Sequence, residues 1–190
     1  PEYRRWRQDG GTYFFTVVTC RRRRFLTTPD ARRLLRKAIA DVRAALPFQI
    51  SAMVLLPDHL HCIWTLPRGD DDYSSRWGRI KKAFTQAWLA SGHHASITTS
   101  SRHRRHERGV WQTRFWEHTI RSERDFELHL NYIHYIPVRH GLATCPHSWP
   151  YSSFNQWVRN GAYPSDWQCT CTGRRVQPPD FSRLVTTAME

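Results

Sequence analysis

Long apolar runs are missing from this 190-residue chain. No stretch approaches the ~20 consecutive apolar residues of a membrane-spanning helix, and the opening YRRWRQDGG has no apolar signal-peptide core. A cytoplasmic protein is expected. Cysteine is sparse and irregularly spaced: Cys20, Cys62, Cys145, Cys169 and Cys171 form an odd set, which argues against a secreted disulfide framework and for reduced thiols. Cys169 and Cys171 make a C-x-C without a second pair, so they read as ordinary tail cysteines rather than a zinc site. Acidic residues are few, 16 against 29 Lys and Arg, and lysine occurs only at positions 37, 81 and 82. No internal repeat is evident.

What remains is strongly basic and aromatic. The formal net charge is +13, and it is carried almost wholly by Arg, whose planar fork suits phosphate and whose flat face stacks on bases. A polyanionic partner follows, nucleic acid before an anionic membrane surface. Hydrophobic residues make up 39% and aromatics 13%, with nine Trp, enough to build a core unaided. The length suits one domain, placed at 1–155 with a basic loop at 91–109, followed by an irregular tail at 156–190.

Thr12–Cys20 (TYFFTVVTC) is β-branched and aromatic after Gly10-Gly11 and reads as a first strand. Pro29-Asp30 opens a helical pattern through Leu34, Leu35, Ala38, Ile39 and Val42 that ends near Leu46-Pro47. Phe48–Leu55 and His59–Leu66 form two strand-like runs joined by Leu56-Pro57-Asp58, a hairpin. A second helix runs over about Ser74–Leu89, and 91–109 is polar, basic and aperiodic. Phe115–Ile120 is a fourth strand. Ser122 caps a helix from Glu123 to about Ile136, where Pro137 is expected to stop or kink it before a short turn closed by Gly141. Beyond Trp149 no regular core element is expected. The β-α-β-β-α-β order is the signature of an α+β, ferredoxin-like (RRM-like) antiparallel sheet with helices on one face and the other face open.

Two groups of residues point to chemistry. His59 and His61 lie two apart on a predicted strand, so both imidazoles face one side and can converge on a divalent cation, which would polarise a phosphate. Alone, the pair also fits two histidines packed in a half-buried strand. Tyr132 stands on the last helix beside its core stripe, where it reads either as a packed aromatic or as a nucleophile able to form a phosphodiester. A free phenol has a pKa of about 10, so a nucleophilic Tyr132 needs a cation nearby. Tyr135 is the rival nucleophile. Arg4, Arg5 and Arg7 around Trp6, with Arg79, Lys81 and Lys82 on the second helix, offer phosphate contacts beside stacking surfaces, suited to single strands.

Several segments together resemble the REP-associated tyrosine transposases of the single-Tyr HUH group: YRRWRQDGGTYFFTVVT at 3–19, LPDHLHCIWTLPRGDDDYSSRWGRIKKAF at 56–84, WQTRFWEHTI at 111–120, YIHYIPVRHGL at 132–142 and WPYSSF at 149–154. The resemblance implies a monomeric, nucleoid-associated bacterial enzyme. It would cleave and rejoin single-stranded DNA at hairpins of repetitive extragenic palindromes (REPs). It assigns Mg²⁺ or Mn²⁺ to His59 and His61 and the nucleophile to Tyr132, giving a 5′-phosphotyrosine and a free 3′-OH. One position departs from the family pattern. Ile136 stands where the family carries Asn before Pro, and Ile cannot coordinate. The third metal ligand then falls to water, DNA phosphate or His140, with His118 and Glu117 as further supporting residues. The alternative is a catalytically impaired single-stranded nucleic-acid-binding module on the same fold.

Overall fold

Strand β1 (Thr12–Val18) lies inside a four-stranded antiparallel sheet with β2 (Gln49–Leu55), β3 (His59–Thr65) and β4 (Trp116–Thr119), in the order β2-β3-β1-β4. The structure is a computed structural model that describes residues 9–96, 109–171, 173 and 176–185. Arg4, Arg5, Trp6, Arg7 and most of the basic loop expected at 91–109 lie outside the described residues. β1 pairs along its whole length with β3, from Thr12 opposite Thr65 to Val18 opposite His59, and puts Thr16 opposite His61. β4 borders β1 on its other side, with Phe14 opposite His118 and Phe15 opposite Glu117.

Helices α1 (Pro29–Ala45) and α2 (Tyr73–Ala90) cover one face. Thr28 caps α1 through its hydroxyl to the Ala31 N–H, with Pro29 just inside the helix, and the predicted stripe of Leu34, Leu35, Ala38, Ile39 and Val42 is buried. Asp72 caps α2, and Trp77 stacks on Trp64 of β3 at 4.2 Å between ring centroids. Arg76 of α2 is 2% exposed. It forms a bidentate pair with Asp70 at 2.6 and 3.0 Å and donates to the carbonyls of Leu46 and Pro47, so it fastens the end of α1 to the start of α2.

The opposite face, expected open, carries α3 (Glu123–Arg139). Phe14, Val54 and Ile63 from the sheet pack there against Leu130, Ile133 and Ile136. The reason is visible in the strands: β1 and β3 are buried almost continuously rather than at alternate positions, the pattern of a sheet covered on both sides. Ser122 caps α3 as expected, but the helix does not stop at Pro137. It runs on to Arg139, with Pro137 itself buried. A proline near the C-terminal end removes only one ladder bond, and the end is closed by Leu142 N–H to the Pro137 carbonyl and Gly141 N–H to the Val138 carbonyl, Gly141 taking a φ of +65°.

The segment after Trp149 also differs from expectation. It holds two short helices, α4 (Phe154–Arg159) and α5 (Ser182–Val185), and it buries Phe154, Phe181 and Leu184. Residues 149–154 line the free edge of β2: Leu55 N–H donates to Tyr151, Ser153 N–H to Met53, and the Trp149 indole to Leu55. Such cover removes an unpaired sheet edge. The thiols correct a further expectation, because Cys145 and Cys169 are joined as a disulfide while Cys20, Cys62 and Cys171 are not. Among the described residues no helix is long and apolar enough to cross a membrane.

Candidate active site

The strand period sends His59, His61 and Ile63 to the α3 face and Leu60, Cys62 and Trp64 to the other. The two imidazole rings stand 4.9 Å apart by centroid and are 4% and 1% exposed. Each is oriented through its Nδ1. His59 Nδ1 is 2.7 Å from the Asp58 carboxylate, and His61 Nδ1 is 2.9 Å from the Thr16 hydroxyl, its cross-strand neighbour. Both rings are thus steered to present Nε2, and the His61 Nε2 is a buried nitrogen without a hydrogen-bond partner. Burial pushes the His61 imidazole well below its usual range, with His59 and His140 acting in the same direction, so it stays neutral. A neutral ring with an unused inward nitrogen, fixed by a bond at its other nitrogen, is what a divalent cation requires of a histidine. The pair fits one.

Asp58 is a third participant. Burial alone would raise its pKa, but hydrogen bonds from His59 and Arg22 bring it down to about 2, so it remains a carboxylate. Arg22, 3.3 Å from Asp58, sits in a tight turn with a φ of +50°. Asp58 and Thr16 were not singled out from sequence. Asp58 carried a signal, adjacency to His59, but read as a turn residue; Thr16 becomes visible only once the β1–β3 register is known.

Tyr132 approaches from α3. Its ring lies edge-on to His61 at 5.2 Å and to Phe14 at 6.0 Å, and it is 1% exposed, with Phe181 of the tail against it at 5.4 Å. His140, at the C-cap of α3, reaches His59, with ring centroids 5.5 Å apart. Beside them opens a cleft of about 160 Å³ bordered by Arg24, Pro57, Asp58, His59, His140 and Leu142. Of the predicted residues, His59, His61, Tyr132 and His140 therefore meet.

The others do not join them. Ile136 is wholly buried in the apolar cluster with Phe14 and Ile133 and offers no ligand. Tyr135 packs on Trp167 and Phe181 instead of the histidines. Glu117, paired with Phe15, is directed to the α1/α2 face, away from His61. His118 is on the α3 face but bound to Asp125 at 2.9 Å and stacked on His129. Hydrogen bonding from His118 and the Arg121 N–H holds Asp125 low against the opposing effect of burial. Along α2, Arg79 and Lys82 are exposed, whereas the Lys81 ammonium donates to the carbonyls of Gln112 and Thr113.

The chain is 46% identical over 166 residues to the REP-associated tyrosine transposase of Escherichia coli (strain K12), a match that spans 87% of this chain and 90% of that protein. It is 39% identical over 165 residues to a relative of the same description from Haemophilus influenzae, with 87% and 92% covered. A solved REP-associated tyrosine transposase, bound to a REP hairpin, superposes with a TM-score of 0.78 at 42% identity, covering 100% of this chain and 98% of that one. No protein-family model matches the chain.

Proposed function

Since the chain belongs to the REP-associated tyrosine transposases, a family of DNA transesterases, we propose that it cleaves and rejoins single-stranded DNA at REP hairpins with Tyr132 as nucleophile. The observation that carries this reading is the packing of Tyr132 against His61 on the sheet face where His59, His61 and His140 gather.

Family membership implies a divalent cation, and His59 and His61 are the residues that would hold it. Imidazole ligands alone would favour zinc, so the assignment to Mg²⁺ or Mn²⁺ rests on the family. When bound, the ion would polarise a phosphate oxygen and favour the phenolate. Everything else is supplied by the chain. Asp58 fixes the His59 tautomer whose Nε2 is free to ligate, and Thr16 holds the His61 ring with its Nε2 turned away from the hydroxyl. Arg24, exposed beside the cleft, is placed to meet a phosphate. The Tyr132 oxygen attacks phosphorus, the bond to the 3′ oxygen breaks, and the products are a 5′-phosphotyrosine and a free 3′-OH. Because Tyr132 is buried and Phe181 lies against it, the substrate phosphate reaches the phenol only when the tail residue shifts. His140, whose ring lies 5.5 Å from that of His59, would complete a ligand set that Ile136 cannot. Arg79, Lys82 and the arginines at 4, 5 and 7 around Trp6 supply phosphate and stacking contacts. The protein acts as a cytoplasmic, nucleoid-associated monomer.

A second reading is favoured by the burial of Ile136: a binding module that recognises the hairpin but does not cut it. A labelled REP hairpin incubated with Mn²⁺ or Mg²⁺ and run on a denaturing gel separates the two. The enzyme reading expects a protein–DNA adduct that disappears in Tyr132→Phe and in His61→Ala while hairpin binding persists in Tyr132→Phe. Binding without adduct or cleavage supports the module, and cleavage surviving Tyr132→Phe would remove the tyrosine from the mechanism.

A further inference from the structure

A second group of metal-ligating side chains lies beyond α3. The Cys145 and Cys169 sulfurs and one ring nitrogen of His147 all fall within 4.8 Å of one another. The Cys171 sulfur is 2.7 Å from that of Cys169. The sequence thus has the second pair that Cys169-x-Cys171 seemed to lack: it is Cys145-x-His147, a spacing read past because its second member is not cysteine.

The backbone holds these two short pairs side by side without help from sulfur. The Thr144 carbonyl accepts from both the Thr170 N–H, at 3.3 Å, and the Thr170 hydroxyl, at 2.9 Å. Cys145 caps the 3-10 turn Pro146–Ser148, its carbonyl taking the Ser148 hydroxyl at 2.7 Å, and the Asn155 amide binds the His147 carbonyl at 3.0 Å. On the other side the Cys169 N–H closes on the Asp166 carbonyl. Cys145 and Cys169 are buried, at 1% and 6% exposure, while His147 and Cys171 are exposed, which leaves a path for entry.

Cys145, His147 and Cys169 converge, and Cys171 stands beside Cys169; three sulfurs and an imidazole drawn from two turns are the donor set of a closed structural zinc site. The Cys145–Cys169 disulfide uses two of these four groups and gives His147 and the adjacent Cys171 no part. We propose that Cys145, His147, Cys169 and Cys171 bind one Zn²⁺ as a Cys₃His tetrahedron, separate from His59 and His61. The zinc clips the segment bearing Tyr163 and Trp167 to the end of α3, where those rings pack on His134 and Tyr135. The two forms are related simply. A phosphine reductant and one water convert the disulfide to two thiols and the phosphine oxide; Zn²⁺ then displaces three protons from the three thiols.

The test uses the full chain, expressed with zinc and purified with a phosphine reductant and no chelator, with metal measured by elemental analysis and coordination by zinc X-ray absorption. The expected result is about one zinc per chain with three sulfurs at ~2.3 Å and one nitrogen. That zinc should persist in His59→Ala/His61→Ala and fall at least about tenfold in Cys171→Ser. Cys171→Ser is decisive because the residue is exposed, so its loss leaves the fold intact, and because a Cys145–Cys169 disulfide does not need it. Zinc retained at full occupancy in Cys171→Ser, zinc lost with His59 and His61, a metal-free chain with all three thiols titratable, or a disulfide that resists the phosphine would each overturn the proposal.

Discussion

Thr16 and His61 illustrate how little a positioning residue needs in order to matter. The Thr16 hydroxyl contacts His61 Nδ1 at 2.9 Å from the neighbouring strand, and both side chains are buried. Replacing Thr16 by Val keeps the shape, removes the oxygen, and leaves His61 Nδ1 without the bond that orients the ring. The expected outcome is a 10- to 100-fold rise in the Mn²⁺ concentration that half-saturates adduct formation, with hairpin binding unchanged; an unchanged metal requirement would mean Thr16 does not orient His61. His134 belongs to the opposite side of α3, where its Nε2 meets the Ser153 hydroxyl at 2.9 Å. Burial lowers its pKa to about 3, below the ordinary ~6.5 of an unfolded histidine. The folded state therefore binds this proton less readily than the unfolded chain does. His134 contributes its full stability above pH 6.5 and loses it as the pH falls towards 3, at up to about 1.4 kcal/mol per pH unit. Urea titrations between pH 5 and 6.5 should show this slope reduced by about one proton's worth in His134→Phe.

Among the elements, α3 departs furthest from local rules. Pro137 marks a helix end by backbone sterics, yet the helix continues to Arg139 because Ile136 and Pro137 are buried against the sheet and Gly141, in left-handed conformation, closes the carbonyls one turn later. The extra residues bring His140 to the C-cap, and so to His59. Tertiary burial outweighed one missing hydrogen bond. At the other end of the fold, Arg76 of α2 ties together Asp70 and the α1 terminus at Leu46 and Pro47. Arg76→Met would remove a donor from the carbonyls of Leu46, Pro47 and Asp72 and leave a carboxylate without its cation, and should cost about 3 kcal/mol in denaturant unfolding. A loss under about 1 kcal/mol would show that water replaces the guanidinium freely.

At the scale of the whole molecule, the charge of +13 sets how DNA is held rather than which DNA is chosen. Binding to a REP hairpin should weaken steeply between 50 and 200 mM salt, by roughly 10³-fold or more if six or more phosphates are neutralised. Arg79→Ala and Lys82→Ala, on exposed positions of α2, should each weaken hairpins of any sequence alike and reduce the log–log salt slope by about one. Lys81→Ala should leave that slope alone, because its ammonium is already committed to Gln112 and Thr113. A slope unaffected by Arg79 and Lys82 would place the phosphate path elsewhere on the surface.

Local pattern determined a great deal of this protein. The strands and the stripes of α1 and α2 follow from side-chain period, the caps at Thr28 and Ser122 from hydroxyl chemistry, and the common direction of His59 and His61 from their spacing alone. The family motifs marked Tyr132. Tertiary structure decided what these residues meet. It laid α3 over the face expected to be open, carried the helix past Pro137 to bring in His140, turned Glu117 to the far side, and spent Lys81 on two carbonyls. It also drew Cys145 and His147 alongside Cys169 and Cys171. Each of these is a contact between segments distant in the chain, governed by strand register and by burial on both sides of one sheet, and neither is written in any local run of residues.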